Sequence, residues 1–245
     1  MAKERLVHLF GARRARTSRH RDVEGNAARA AVLGAGDGLL TNISLILGVA
    51  GANPGPSTVR LAGVAGLLAG AFSMAAGELV SVRAQEELVG HEIDVEREEL
   101  THDPKGELEE LAGMYQAQGV PESDAKMVAR ILMSNPAVAL DSHARLELGV
   151  DPDQVGSANQ AALASFLSFA AGALLPLLPW FVLKGTAAIV ASIAIGIVAA
   201  SGLGAAIGAF TGRSKIRTAL RQLAAATVAA AITFGVGALL GAQGA

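Results

Sequence analysis

The chain has 245 residues, 51% of them hydrophobic and only 17% charged, against about 25% charged in an ordinary soluble domain. That balance excludes a conventional water-soluble fold, which would have too little polar surface to cover its core. The absence of cysteine removes disulfides, zinc–thiolate sites and thiol nucleophiles, and the net charge of −2 hides a strongly segregated distribution.

Residues 1–30 hold eight Lys/Arg and three acids, whereas residues 83–153 hold six Lys/Arg and seventeen acids. The order is a basic arm (1–27), a pair of apolar segments (28–82), an acidic insert (83–153) and a second apolar block (154–245). The arm carries Arg13, Arg14, Arg16, Arg19 and Arg21, with Arg29 just after it. It is too long for the n-region of a signal peptide, and no small-residue cleavage site follows it. It is read as lying near anionic lipid headgroups rather than on a nucleic acid.

A helix needs about 20 apolar residues to cross the ~30 Å hydrocarbon core. Five stretches qualify: 28–50, 60–82, 160–183, 186–210 and 217–241. None shows the polar stripe of a soluble amphipathic helix. The breaks are "GANPGPST" at 51–58, "LPWFVLKGT" at 178–186 and the basic "TGRSKIRT" at 211–218. Basic residues concentrate in the arm and in the loop after the fourth span (Arg213, Lys215, Arg217 and, beyond it, Arg221). By the positive-inside rule the N-terminus and the insert are cytoplasmic and the C-terminus is outside. Trp180, near the outer end of span three, is expected to be an interfacial anchor. Glycines recur at four-residue spacing (34/38, 66/70, 204/208/212, 237/241), a pattern that lets helices approach closely and that could also make a dimer face.

Asp37 stands in span one, about thirteen residues from its outer end, and Met74 stands at a matching position in span two. At ~1.5 Å per residue both lie roughly 20 Å below the outer surface. A charged group at that depth costs about 2.5–3.5 kcal/mol on insertion scales and is usually functional. A hard carboxylate with a soft thioether suits a borderline divalent ion such as Fe²⁺ better than Na⁺ or Mg²⁺. An aspartate in hydrocarbon is also a candidate for exchanging a proton against that ion. Glu78 and Ser81 follow Met74 at i+4 and i+7 on one face, and Asn42 lies just over a turn outward of Asp37. These residues form a sparse polar track.

The insert reads as helices. The segment "EELVGHEIDVEREELTH" continues span two, Asp103-Pro104 caps and opens a second helix that Gly119 stops, Pro121 opens a third, and Asn135-Pro136 opens a fourth that ends at Gly149. Glu96/Glu99 and Glu107/Glu110 are i,i+3 pairs, each on one helix face, on helices joined by a tight turn. His143 and Glu147 could close the set from the fourth helix. Spacing alone leaves two readings open: a cation site of oxygen-rich ligands, or an acidic surface that is merely solvated. Glu86, Glu87, Glu98 and Glu109 are expected to be solvated. His91 and His102 are further candidate ligands; His8 and His20 belong to the arm.

The runs "DGLLTNISLILGVAGA", "AGAFSMAAGELVSVRAQEE" and "SFAAGALLPLLPW" resemble the vacuolar iron transporter family, and the resemblance covers essentially the whole chain from about residue 30. It implies an all-α integral membrane protein: five transmembrane helices with a cytoplasmic acidic helical metal-binding insert between spans two and three. It also implies a homodimeric, proton-coupled exporter of Fe²⁺, with Mn²⁺ as the other candidate ion. The pathway would include Asp37 and Met74, and Glu96, Glu99, Glu107, Glu110 and Glu147 would be insert ligands. One departure concerns the last of these: plant members place a methionine pair near that glutamate, where this chain has His143 and Ala144. The Ala/Gly/Arg-rich composition reads as bacterial, which makes the plasma membrane the expected location and efflux the expected direction. No prosthetic group and no enzymatic activity are expected, since no span holds a Cys or His. The competing function is a membrane-anchored metal sensor or store that moves nothing.

Overall fold

The computed structural model describes residues 26–151 and 157–243. Arg13, Arg14, Arg16, Arg19 and Arg21 of the arm, together with His8 and His20, lie outside the described residues. Those described form helices joined by short turns: α1 (Asn26–Gly51), α2 (Pro56–His102), α3 (Pro104–Ala117), α4 (Glu122–Met133), α5 (Pro136–Leu146), α6 (Ala158–Leu177), α7 (Pro179–Val182), α8 (Gly185–Phe210) and α9 (Lys215–Gln243). Five of them, α1, α2, α6, α8 and α9, are long and apolar enough to cross a membrane. The fold is an all-α, five-span membrane architecture.

The turns are built as their residues dictate. Asp103 accepts a hydrogen bond from Gly106 N at 3.0 Å, with Pro104 in the first turn of α3. Asn135 accepts one from Ala137 N at 3.1 Å, ahead of Pro136. Both side chains satisfy an amide that has no partner within the helix. Gly119 (φ 93°) and Gly149 (φ 66°) follow α3 and α5 in the left-handed region, where a side chain would strain the backbone. In the α7 region the expected turn contains one helical turn: Pro176 lies inside α6, and Pro179 opens α7 directly after Leu178.

The first span, α1, is the hub of the membrane part and packs on α2, α6, α8 and α9. Small residues let it do so. A Cβ at Gly38 would lie 2.8 Å from the Phe169 carbonyl carbon, and one at Gly172 would lie 3.0 Å from Leu39 N, so α1 and α6 approach backbone to backbone. Gly51 meets Phe234 and Ala238, and Gly237 meets Gly48, which closes α9 on the C-terminal half of α1. Gly204 and Gly208 seat Ala219, Thr218 and Lys215, which closes α8 on the N-terminal part of α9. The four-residue glycine spacing at 34/38, 204/208 and 237/241 is therefore used within one chain. In lipid this close packing, rather than hydrophobicity, holds helices together. Large apolar side chains on the outside, among them Leu61, Phe72, Val198, Ile232 and Leu239, are exposed, as lipid-facing residues are.

One expectation about depth is corrected. Trp180 is 3% exposed and packs with Ile46, Ala50, Val59, Leu177 and Ala188; it fills the end of the bundle beside the α1–α2 turn and is no interfacial anchor. Along the α1–α2 contact Gly66 meets Leu45 and Asn42, and Gly63 meets Ile46, which sets Asp37 level with the stretch of α2 from Ala71 to Met74.

The second span does not stop at the membrane. α2 runs unbroken for 47 residues, about 70 Å at ~1.5 Å per residue, more than twice the ~30 Å hydrocarbon thickness. Its far end carries α3, α4 and α5, which share a small core of Leu111, Ala112 and Ala129 flanked by Leu108, Tyr115, Leu132, Met133 and Leu146. A contact across 72 positions ties the exit of this unit to its entrance: Glu86 Oε1 accepts from the backbone N–H of Ala158, at the start of α6, at 2.8 Å. Glu86 was expected to be solvated. It is half-buried and satisfies an amide at the helix N-terminus, where a negative charge is favoured.

Candidate metal centre and intramembrane carboxylate

The insert brings side chains from three helices to one point. Glu96 lies on the distal part of α2 and Glu107 in the first turn of α3. His143 lies on α5, and Glu147 is its C-cap, with its backbone N–H bonded to His143 O at 2.8 Å. Buried Ala139 and Ala144 keep the α5 surface small where it is covered. His143 Nδ1 lies 2.9 Å from Glu96 Oε1, 3.5 Å from Glu107 Oε2 and 3.9 Å from Glu147 Oε2. Ligand atoms of Glu96, His143 and Glu147 all lie within 4.8 Å of one another.

Burial makes this arrangement unusual for an acidic surface. Glu96 is 2% exposed and His143 is 0% exposed. Yet Glu96 Oε1 and both His143 ring nitrogens have no hydrogen-bond partner among the described residues. The close approach of Nδ1 to Glu96 is thus a proximity without hydrogen-bond alignment: the donor atoms converge on a shared point rather than on each other. A buried polar atom left unpaired costs about 1–3 kcal/mol. Two carboxylates about 5 Å apart repel by roughly 3 kcal/mol at an effective dielectric of ~20. A cation at the convergence point relieves both.

The titration behaviour follows from the same geometry. Burial, and then the charges of Glu147 and Glu107, a hydrogen bond with Glu147 and the charge of Glu99, push the Glu96 carboxyl up to about 7. Glu107 is raised by burial and by Glu110, Glu99, Glu147 and Asp103. His143 is lowered by burial, against the pull of Glu147 and Glu110; burial thereby favours the neutral ring that coordinates a metal. One imidazole nitrogen with several carboxylate oxygens is a donor set for a borderline or hard divalent ion.

The remaining insert candidates fall elsewhere. Glu99 and Glu110 are exposed and act on the cluster through their charge. His102 is exposed and its Nδ1 contacts Glu98 O at 2.8 Å on its own helix. His91, Glu87, Glu98 and Glu109 are exposed.

In the membrane part, α1 leaves one face uncovered. Leu33, Asp37 and Thr41, spaced by four, are exposed, and Thr41 Oγ1 donates to Asp37 Oδ1 at 3.3 Å. Asn42 points the other way: it is fully buried and its Nδ2 donates to Ala173 O at 2.7 Å. Met74 is half-buried against Ala71, Phe169 and Ala173, and Glu78 is half-buried one turn further on. Within one chain, Asp37 and Asn42 thus occupy different faces of α1.

Fold and site together define a multi-pass membrane protein with an acidic, histidine-containing ligand cluster on an extension of its second span. The VIT family model matches residues 28–238, and the chain belongs to that family. Similar proteins include Vacuolar iron transporter 1 of Arabidopsis thaliana, 32% identical over 86% of this chain and 84% of the relative. The Vacuolar iron transporter of Centaurea cyanus is 32% identical over 90% and 91% of the two chains, and that of Acanthamoeba castellanii is 37% identical over 90% and 82%.

Proposed function

We propose that this protein carries Fe²⁺, with Mn²⁺ as a second substrate, out of the cytoplasm in exchange for protons. The observation that carries the reading is the convergence of buried, unpartnered His143 and Glu96 atoms with Glu147 and Glu107, on a helix that continues from the membrane, in a chain related to iron transporters. The insert, residues 83–153, collects the ion on the cytoplasmic side, and Glu96 gives up a proton as the ion arrives. Asp37, on the open face of α1, takes the ion through the bilayer and returns a proton, with Met74 and Glu78 along the track; Asn42, buried on the other face and bonded to Ala173 O, braces α1 against α6 instead.

A homodimer fits the uncovered Leu33–Asp37–Thr41 stripe, since a carboxylate in mid-membrane calls for a neighbour other than lipid. On this reading the membrane is a bacterial plasma membrane, with the N-terminus and the insert in the cytoplasm and the C-terminus outside; the distribution of arginines supports that orientation.

The test is Fe²⁺ flux in proteoliposomes under an imposed pH gradient, wild type against Asp37→Asn. Flux that follows the gradient and vanishes in the variant supports the reading. Mn²⁺ flux without Fe²⁺ flux keeps the mechanism and changes the substrate. Metal binding by the insert with no flux of either ion would overturn transport and leave a sensor or store.

A further inference from the structure

We propose that Ser44 of α1 is a further residue of the ion path, the oxygen that receives the cation from Asp37 on its way toward the C-terminal end of the helix. The proposal rests on the reading of Asp37 as a path residue.

Ser44 follows Asp37 by seven residues, which places it about 10 Å further along the helix axis and within about 20° of the same line around it. Thr41 stands between them, and its hydroxyl donates to Asp37 Oδ1 at 3.3 Å. The open stripe of Leu33, Asp37 and Thr41 therefore runs on into Ser44. Asp37 and Thr41 are exposed, whereas Ser44 is 8% exposed. The change comes where α9 reaches the stripe. At Gly48, the next residue on that line, a Cβ would lie 3.2 Å from both Cβ and the carbonyl oxygen of Thr233. Ser44 thus sits between the open carboxylate and the closed α1–α9 contact.

The Ser44 hydroxyl is buried and has no hydrogen-bond partner among the described residues. Other hydroxyls in the spans behave differently. Ser168, Thr227 and Thr233 each donate to a carbonyl three or four residues back on their own helix, the usual way a hydroxyl is satisfied in an apolar span. Buried Ser192 donates across helices to Pro176 O at 2.8 Å. Ser165 also lacks a partner, but it belongs to α6, which packs on the buried Gly34 side of α1. An unpaired buried hydroxyl costs free energy, and alanine would fill the same space without that cost. A serine here is a gain only if something else uses its oxygen.

The chemistry fits a divalent cation in transit. Thr41 and Ser44 place neutral oxygens at steps of about 6 Å and then 4.5 Å along the axis beyond the carboxylate. Neutral oxygens bind such an ion without adding charge, so an ion that leaves Asp37 is held weakly enough to move on.

Fe²⁺ and Mn²⁺ flux in proteoliposomes would be compared for wild type, Ser44→Ala, Ser44→Cys and Asp37→Asn. Ser44→Ala should lower flux about tenfold, with an equal or higher thermal midpoint and unchanged metal binding by the insert; a serine that only packs predicts no loss. The chain has no cysteine, so Ser44→Cys places a single thiol at the site. Under the pH gradient that thiol should react with a water-soluble methanethiosulfonate, and Mn²⁺ should slow the reaction. Wild-type flux in Ser44→Ala, while Asp37→Asn is inactive, overturns the role of Ser44 alone. Lost flux with a lowered thermal midpoint assigns Ser44 to packing and also overturns it. Full flux in Asp37→Asn removes the underlying reading. If the alanine variant does not fold, the cysteine variant decides: a thiol that stays unreactive, or reacts equally fast with and without Mn²⁺, overturns the proposal.

Discussion

His143 Nδ1 sits 2.9 Å from Glu96 Oε1, and neither atom is in a hydrogen bond among the described residues. The pair is held together by the helices behind it rather than by attraction between its atoms. Its behaviour should therefore change most when something enters between the two. Glu96→Gln and His143→Ala should each lower divalent-ion affinity of the insert by tenfold or more, the lower end of what supporting ligands cost. Glu99→Gln, at an exposed position, should lower it far less. Titration calorimetry with Mn²⁺ on the detergent-solubilised protein reads all three.

Protons compete for the same site, with a definite sign. The Glu96 carboxyl rises from its ordinary value of 4.5 to about 7 on folding. The folded metal-free state therefore binds the proton more tightly than the unfolded one. The stability this confers is fully present below about 4.5 and is lost as pH rises through about 7. His143 is shifted the other way; its contribution is present above 6.5 and falls off as pH drops below that value. The two oppose each other on the acid side, so the clean signature lies between pH 6.5 and 7.5. There the thermal midpoint of the metal-free protein should fall with rising pH while Mn²⁺ affinity rises. Glu96→Gln should flatten both trends. Unchanged slopes in that variant would remove Glu96 from the linkage.

The Glu86–Ala158 contact predicts a local effect. Glu86→Ala removes the acceptor from a helix N-terminus and should cost about 1 kcal/mol, the usual worth of a capping interaction. Glu86→Gln retains an oxygen acceptor and should lose less. Limited proteolysis between α5 and α6, together with the thermal midpoint, would show both.

The glycine seams separate into packed and open positions. A Cβ at Gly237 would lie 2.8 Å from the carbonyl carbon of Gly48, whereas one at Gly235 would meet nothing within 4 Å. Gly237→Ala should destabilise by about 1–3 kcal/mol through overpacking. Gly235→Ala should be neutral or stabilising by about 0.5–1 kcal/mol through helix propensity. Equal effects of the two would mean that α9 does not pack on α1 as described.

Much of this architecture is written locally. Runs of apolar residues mark the spans, Asp103-Pro104 and Asn135-Pro136 mark helix starts, and Gly119 and Gly149 mark where helices stop. Each depends on residues within one or two turns. The spacing of Glu96 and Glu107 shows that they can share a face with Glu99 and Glu110. It does not show which member of each pair turns inward; the position of α5, tens of residues away, decides that. Trp180 and Glu86 fail to read correctly for the same reason. A tryptophan at a span end is an interfacial anchor on an exposed helix and a core residue on a covered one. A glutamate at the membrane edge is solvated unless another helix begins beside it. Asp37 is conspicuous as a charge in an apolar run, but which flank it exposes follows from the glycines around it and the helices they admit.

The unbroken length of α2 makes it a lever. Its apolar stretch ends near Val82, and Glu96 lies fourteen residues beyond, about 21 Å along the axis. A tilt of about 10° of the membrane segment would swing Glu96 sideways by about 4 Å on that arm, comparable with the whole spread of the ligand atoms. Any rocking of the second span within the bilayer is therefore felt, without a hinge to absorb it, at the place where the carboxylates meet.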